Sequence, residues 1–250
     1  QWQNQKKAFR FGTEASLNLA DDQLLMKLMV EAGFEEVFIG IETPSEDGLI
    51  ECNKPQNAKR NLLESVKRIQ RAGLQVQGGF IVGFDTDGPS IFTRQIEFIQ
   101  QSGIVTAMVG LLQAPKGTKL YNRLQKQGRI RGYVSGDNLD GTTNIVPKMG
   151  MKALLDGYTN IQEHIYLPHP YYQRIKTFLL EYNAPRIFVK IDIQRILAFF
   201  RCCIKIGIYG EERFQFWRLL LWTLFKYPRF FPLMITFAIY GYHFRRVCRL

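Results

Sequence analysis

Short apolar runs alternate with longer amphipathic stretches through the first half of the 250-residue chain. Ala8–Leu17 reads as a first strand. Asp21-Asp22 then opens a helix over Gln23–Ala32, with Leu24, Leu25, Leu28 and Met29 on one face and Gly33 as its stop. Glu36–Thr43 is a second strand, followed by a turn at Pro44-Ser45-Glu46-Asp47. Leu62, Leu63, Val66 and Ile69 recur at helical spacing and predict a helix from about Ala58 to Ala72, ended by Gly73. After Gln75–Asp85 come a helix over Ser90–Gln101, a strand over Val105–Leu112 and a short helix over Lys119–Gln127.

The other elements are arranged around Gln75–Asp85. Phe80 to Phe84 is apolar except at Gly83, so this strand is expected to be covered on both faces, as in a parallel sheet flanked by helices. Gly78, Gly79 and Gly83 are costly inside a strand unless another backbone or a ligand comes close. Asp85 and Asp87-Gly88-Pro89 are expected to stop the strand, with Ser90 as the cap of the next helix.

Four strand–helix units in succession imply repeated right-handed crossovers. The predicted fold is α/β: the C-terminal half of a parallel (β/α) barrel of TIM type, followed by a mainly helical C-terminal region. Three parts are expected. Residues 1–131 form the half-barrel, 132–184 a loop and helical extension, and 185–250 a basic, aromatic-rich helical tail. The loop over Gly132–Gly150 has a faintly calcium-like Asp-x-x-Asp-Gly spacing, but Lys148 stands where an EF-hand needs Glu, so plain turn chemistry is expected. Helices resume over Met151–Ile165 and Tyr171–Glu181, separated by Leu167-Pro168-His169-Pro170.

Charge changes the picture of the tail. The net charge is +11, and from Pro185 onward there are 12 Lys/Arg against 3 Asp/Glu, while the rest of the chain holds 21 against 19. Phe214–Phe225 and Phe230–Phe244 are both strongly apolar and are divided by Lys226-Tyr227-Pro228-Arg229. Neither reaches the roughly 20 residues of a spanning helix, and Arg218 interrupts the first. Two readings stay open: an interfacial helix pair on an anionic membrane, or a helical cap packed on the barrel. Aromatic residues at apolar helical positions argue against nucleic-acid binding.

Cys52, Cys202, Cys203 and Cys248 show no C-x-x-C spacing, so reduced thiols in a cytoplasmic protein are expected, with membrane association left open by the tail. Gln1–Arg10 has no apolar core of a signal peptide. The chain starts without Met, directly before a strand, which predicts a true N-terminus further upstream.

In parallel βα folds the working groups lie at the carboxyl ends of the strands and in the loops that follow. That rule selects Glu14 and Ser16, Glu42 and Thr43, Gly83 to Asp85, and Leu112-Gln113-Ala114-Pro115. Such a set suits hydrogen bonding to a ribose diol and an α-amino group, with apolar walls for a base. Other chemistries fit poorly. Gly78-Gly79-x-x-x-Gly83 lies inside a strand, unlike a dinucleotide fingerprint, and no P-loop is present. His164, His169 and His243 lack metal-ligand spacing, and the later loops carry no glycine-rich phosphate nest.

Thr13–Asp22, Val37–Pro44 and Gly78–Asp85, with Leu111–Tyr121, together resemble the radical SAM superfamily. More narrowly they resemble its cobalamin-binding branch and the hopanoid methylase-like proteins within it. Lys116 stands where related sequences usually have Pro; Gly136–Pro147 and Pro170-Tyr171-Tyr172 resemble the branch's C-terminal extension. The resemblance implies reductive cleavage of S-adenosylmethionine by a [4Fe–4S] cluster fed by an electron donor. It further implies methyl transfer through cobalamin to an unactivated carbon of a small-molecule or lipid-like substrate. By position, Glu14, Ser16, Glu42 and Thr43 would contact the ribose or methionine part of S-adenosylmethionine. Gly79, Ile81 and Gly83 would lie against adenine, with Leu112 and Gln113 on its other side.

Two of the family's motifs are missing from these 250 residues: the cluster motif C-x-x-x-C-x-x-C and the D-x-H-x-x-G loop of the cobalamin histidine. The ligands of cluster and cobalamin are therefore expected upstream of residue 1, and this chain is not expected to be active alone. The competing readings are a non-catalytic half-barrel module held at a membrane by its tail, and a barrel enzyme of unrelated chemistry.

Overall fold

The computed structural model describes residues 11–134, 140–183 and 193–248. The predicted strand residues at Ala8 to Arg10 and the middle of the calcium-like loop, with Asp137, lie outside them. Four strands, β1 (Phe11–Ala15), β2 (Phe34–Glu42), β3 (Gln75–Val82) and β4 (Ala107–Leu111), form one sheet in sequence order. Every neighbouring pair is parallel, and Gly40 of β2, Gly79 of β3 and Met108 of β4 stand abreast. The half-barrel topology read from the sequence is therefore observed.

The crossovers are helical. They are α1 (Gln23–Ala32), then α2 (Glu46–Glu51), α3 (Pro55–Ala58) and α4 (Leu62–Ala72), then α5 (Ile91–Ser102). Asp22 caps α1 by accepting the Leu25 N–H, and Asn61 caps α4 by accepting that of Glu64. The predicted Pro44–Asp47 turn runs on into α2, and the helix expected from Ala58 starts only at Leu62. The cause of the later start is local: Pro55 opens the separate short turn α3, and the Asn61 side chain caps a new helix. Ser90 makes no side-chain cap, because it already has helical backbone angles.

Burial alternates strictly along β3. Val76, Phe80 and Val82 are buried with Val37, Ile39 and Ile41 of β2 and Val109 of β4 in the main core, beneath α4 and α5. Each such aliphatic or aromatic side chain contributes roughly 1.5–3 kcal/mol by leaving water. Gln75, Gln77, Gly79 and Ile81 face the other way and are only half-buried. The expectation of a strand covered on both faces is thus corrected. Among the described residues only Ile81, at the carboxyl end of the inner face, packs against a further element, through the cluster of Leu124 and Ile145, and two of the β3 positions are occupied by glutamine.

The C-terminal helices are α6 (Lys119–Lys126), α7 (Met151–Tyr166), α8 (Pro168–Glu181), α9 (Ile193–Lys205), α10 (Arg213–Lys226) and α11 (Phe231–Cys248). Pro168, read as a separator, opens α8 at a first-turn position where a missing N–H costs nothing. Helix α7 runs antiparallel to the strands. Its Leu154 lies against Gly83 at their carboxyl ends, and its Tyr166 hydroxyl donates to the Ala107 carbonyl at the start of β4, 2.8 Å away.

Helix α8 then crosses the amino ends of the strands. The Tyr182 hydroxyl just past its end donates to the carbonyl of Gly73, and the Asn183 N–H to that of Gln70. Arg174 of α8 is fully buried, donating to Gln100 Oε1 and to the Val105 carbonyl, with its guanidinium 5.1 Å from the Tyr171 ring centre. Burial pushes the Arg174 pKa down.

The tail hairpin of α10 and α11 packs beneath α8. The Tyr171 hydroxyl donates to the Phe237 carbonyl, and Phe178 meets Phe237 edge to face. Phe216, Leu219, Phe230, Met234 and Ala238 are buried in the same core. One face of the tail thus caps the amino end of the half-barrel.

A buried ion pair between Arg245 of α11 and Glu212, just before α10, closes this cap. Glu212→Gln leaves a buried guanidinium without its carboxylate and is expected to cost about 3–5 kcal/mol in urea unfolding. The double replacement Glu212→Leu/Arg245→Met is expected to lose much less; equal losses would show that the charge pair is not what matters there.

Candidate functional site

The inner face of the sheet carries three layers of side chains. At the amino end Gln77 Nε2 donates to Glu36 Oε2 at 2.8 Å. In the middle the Phe38 ring lies over Gly79; a Cβ there would come within 2.8 Å of it. At the carboxyl end Lys54 Nζ donates to Glu42 Oε1 at 2.6 Å and to the Gly40 carbonyl at 2.8 Å. A Cβ at Gly40 would fall 2.5 Å from the Glu42 carboxylate and 2.9 Å from Lys54 Nζ, so any larger residue would displace the pair. The glycine therefore makes room for an ion pair folded back over the strand.

Glu42 itself is strained. Its φ is +68°, in the left-handed region, and the Thr43 N–H closes a turn onto the Ile41 carbonyl around it. Backbone of this kind in a non-glycine residue costs roughly 1–3 kcal/mol and gathers at ligand sites. The turn breaks the register between β2 and β3, so that Glu42 stands beside Phe80.

The same turn separates two neighbouring sequence candidates. Glu42 points to the inner face, with its side chain 17% exposed. Thr43 is fully buried on the outer side, where its Oγ1 accepts the Ser45 N–H and its methyl faces Gly48. The Thr43 side chain is thus engaged with the α2 turn and not with the Glu42–Lys54 pair.

The other candidates divide between the middle and the edge of the sheet. Gly79 and Ile81 lie on the inner side of β3, while Gly83, just past its end, is buried with Leu154 of α7 and Leu112 as its neighbours. Leu112 belongs to a small apolar cluster with Phe84, Ala114 and Ile145 that Ile81 packs against. Gln113 is tied to the following loop, its Nε2 donating to the Thr142 carbonyl at 3.2 Å. Glu14 and Ser16 are exposed on the edge strand β1 and just after it. Glu42, Gly79 and Ile81 thus share the inner face, Leu112 and Gly83 adjoin Ile81 at its carboxyl end, and Glu14 and Ser16 lie to one side.

Residues that sequence reasoning missed complete this mouth. Lys54 lies 12 residues beyond Glu42 and belongs to no motif. Arg129 forks both guanidinium nitrogens onto Asp85, at 2.6 and 2.9 Å, and holds that carboxyl below the usual carboxylate range. Glu51 accepts from the Thr86 N–H and hydroxyl and from Arg123, which locks the loops after β2 and β3 to α6. Asp87, read only as a turn residue, ends β3 by taking the N–H groups of Gly83 and Phe84 on one oxygen, at 2.8 and 3.0 Å.

Neither cysteine chemistry nor a metal centre is assembled here. No group of three His, Cys, Asp or Glu able to hold a metal occurs among the described residues. Cys52, close to Glu42, has its thiol pushed up by burial and then by the Glu42 charge, so it stays protonated. These side chains do not fit an iron–sulfur cluster.

Comparison with known proteins bears on the whole chain. Residues 118–250 match the family described as Domain of unknown function (DUF4070). The chain belongs to this family. It is also 35% identical, over 97% of its length and 46% of the relative's, to a protein of Synechocystis sp. named an uncharacterized methyltransferase. It is 32% identical to the hopanoid C-2 methylase of Rhodopseudomonas palustris, over 85% of this chain and 41% of that one. The third is a bacteriochlorophyllide d C-12(1)-methyltransferase of Chlorobaculum tepidum, 27% identical over 64% of the chain and 35% of the relative. The resemblance to radical SAM methylases of the hopanoid methylase type is borne out by these relatives. The chain spans less than half the length of each curated relative.

The Asp87 carboxyl gives this site a pH signature. Burial raises it from 3.8 to about 6, although the two N–H donors pull the other way. The folded protein therefore holds this proton more tightly than the unfolded chain does. The resulting stability is full below the ordinary carboxylate range and is lost as pH rises through about 6. Asp87→Asn keeps an acceptor for both N–H groups and removes the charge. Its stability relative to the parent is expected to rise by up to about 3 kcal/mol between pH 4 and pH 7; a difference flat with pH would rule out the shift.

Proposed function

We propose that this chain supplies the S-adenosylmethionine-binding half of a radical SAM methyltransferase. The enzyme would cleave S-adenosylmethionine reductively and, with cobalamin, methylate an unactivated carbon of a lipid-like, hopanoid-type substrate. The observation that carries the reading is the strained Glu42 with Lys54 at the carboxyl end of a bare, glycine-lined strand. Relatives named for methyl transfer to a hopanoid and to bacteriochlorophyllides support the reaction class.

The geometry suits the ligand part by part. The methionine end of S-adenosylmethionine is a zwitterion, and Glu42 and Lys54 offer it a carboxylate and an ammonium 2.6 Å apart. Lys54 spends two of its three N–H donors on Glu42 and Gly40, which leaves one for a carboxylate. Gly79 makes room for the Phe38 ring, and that ring with Ile81 and Leu112 would form the apolar wall that a purine needs. Glu14 and Ser16, exposed at the adjacent edge, would serve the ribose rather than the base. A [4Fe–4S] cluster would supply the electron that breaks the sulfonium bond, and its ligands and those of cobalamin belong to sequence outside these 250 residues. What this chain does is hold, orient and screen the nucleoside.

Titration calorimetry with the full-length protein tests the pocket. Glu42→Gln and Lys54→Met are each expected to weaken S-adenosylmethionine binding by about 10- to 100-fold, the value of one charge-assisted hydrogen bond (about 1.5–3 kcal/mol). Unchanged affinity in both variants would remove the pair from the site. A complete reading frame without C-x-x-x-C-x-x-C would sink the enzyme reading itself and favour the non-catalytic half-barrel module.

A further inference from the structure

Helix α9 is amphipathic, yet its apolar stripe is turned away from the protein. Ile193, Ile196, Leu197, Phe200 and Ile204 follow helical spacing along one side and are 44–72% exposed. The opposite side, through Phe199, Cys202 and Ile206, is the one that packs inward. Helix α10 repeats the arrangement. Phe216, Leu219, Leu220 and Thr223 are buried, while Phe214, Trp217, Leu221, Leu224 and Phe225 form a second exposed stripe, with Phe225 81% exposed.

The two stripes are neighbours. Trp217 Nε1 donates to the Gly207 carbonyl at 2.9 Å, and its ring would collide with any Cβ at Gly207. The outer stripe of α10 therefore starts where that of α9 runs out, and Ile208, 58% exposed, lies at the junction. Monomeric proteins seldom leave apolar surface of this extent in water.

The surrounding charge chooses the partner. Arg201, Lys205, Arg213, Arg218 and Lys226 are all exposed on these two helices. Among the described residues from Ile193 to Cys248 the only acids are Glu211 and Glu212, and Glu212 is consumed in the buried pair with Arg245. Two copies facing each other through this surface would oppose like charges. A lipid surface of negative charge would instead take both the apolar stripes and the cations, with Trp217 at the boundary. No helix among the described residues is long and apolar enough to cross a membrane, so the contact is with one leaflet.

We propose that the outer faces of α9 and α10 form a docking surface for an anionic bilayer. The inference stands on these helices alone and is independent of the reading of the pocket.

Vesicle sedimentation with the full-length protein tests it. The protein is expected to sediment with phosphatidylcholine vesicles containing phosphatidylglycerol and to bind pure phosphatidylcholine far more weakly. Phe200→Glu/Leu221→Glu alters only exposed positions and should lower partitioning at least about tenfold. Arg213→Gln/Arg218→Gln/Lys226→Gln, which leaves the apolar stripes intact, should lower it roughly a hundredfold at low salt, at about 1 kcal/mol per cation. Circular dichroism checks that each variant is folded, and the second variant decides the matter if the first is not. Absence of sedimentation with anionic vesicles overturns the proposal, as does equal binding by the parent and the cation variant. A parent dimer that the glutamate pair splits would also overturn it, by showing that the surface joins two copies.

Discussion

Parallel strands laid down in sequence order and joined by right-handed crossovers receive their helices on one side, and this constraint governs everything else in the molecule. With four strands the sheet can bury its outer face under α1, α4, α5 and α7, but it cannot curl round to bury the inner one. The inner face must therefore be tolerable half-wet. Gln75, Gln77 and Glu36 meet that requirement at the amino end, and glycines meet it in the middle. At the carboxyl end the solution is chemical, an ammonium and a carboxylate closed over Gly40. The same demand that keeps the sheet from being covered leaves a place for a flat molecule to lie.

The amino end is settled differently. There α8 spans the strand starts, and the cost of burying the Arg174 cation is offset by a carbonyl, an amide oxygen and two tyrosine rings rather than by a carboxylate. An arginine so placed cannot tolerate water replacing any one of its partners, so α8 is fixed to α5 and to β4 at once. The tail hairpin then builds on a rigid platform. Extension and half-barrel share a single apolar core, which runs from Val37 of β2 to Ala238 of α11.

The sequence made the topology legible because its signals are local. Short apolar runs, amphipathic stretches and terminal glycines such as Gly33 and Gly73 each speak within a dozen residues, and strand order followed from their succession. The candidate site was legible only in its strand-borne half. Gly79, Ile81, Gly83 and Glu42 could be placed by counting along strands. That the Thr43 side chain turns away from Glu42 could not be read, because it follows from a positive φ at Glu42 and nothing in a glutamate announces such an angle. Lys54 and Arg129 were invisible for another reason. Each reaches its partner across loop geometry, over 12 and 44 residues, that no periodicity encodes. For Phe214–Phe225 the membrane and cap readings had to stay open together, since a sequence shows that a helix has an apolar side but not which way it faces.

Helix α11 finishes beside Tyr166, at the amino ends of the strands, whereas the Glu42–Lys54 pair sits at their carboxyl ends. A strand of eight residues separates the two levels by roughly 25 Å. The molecule is in effect a pedestal with a bowl on top. A surface plate, a resin or a fused reporter attached through the last helix would hold it upright, with the opening turned to the solution.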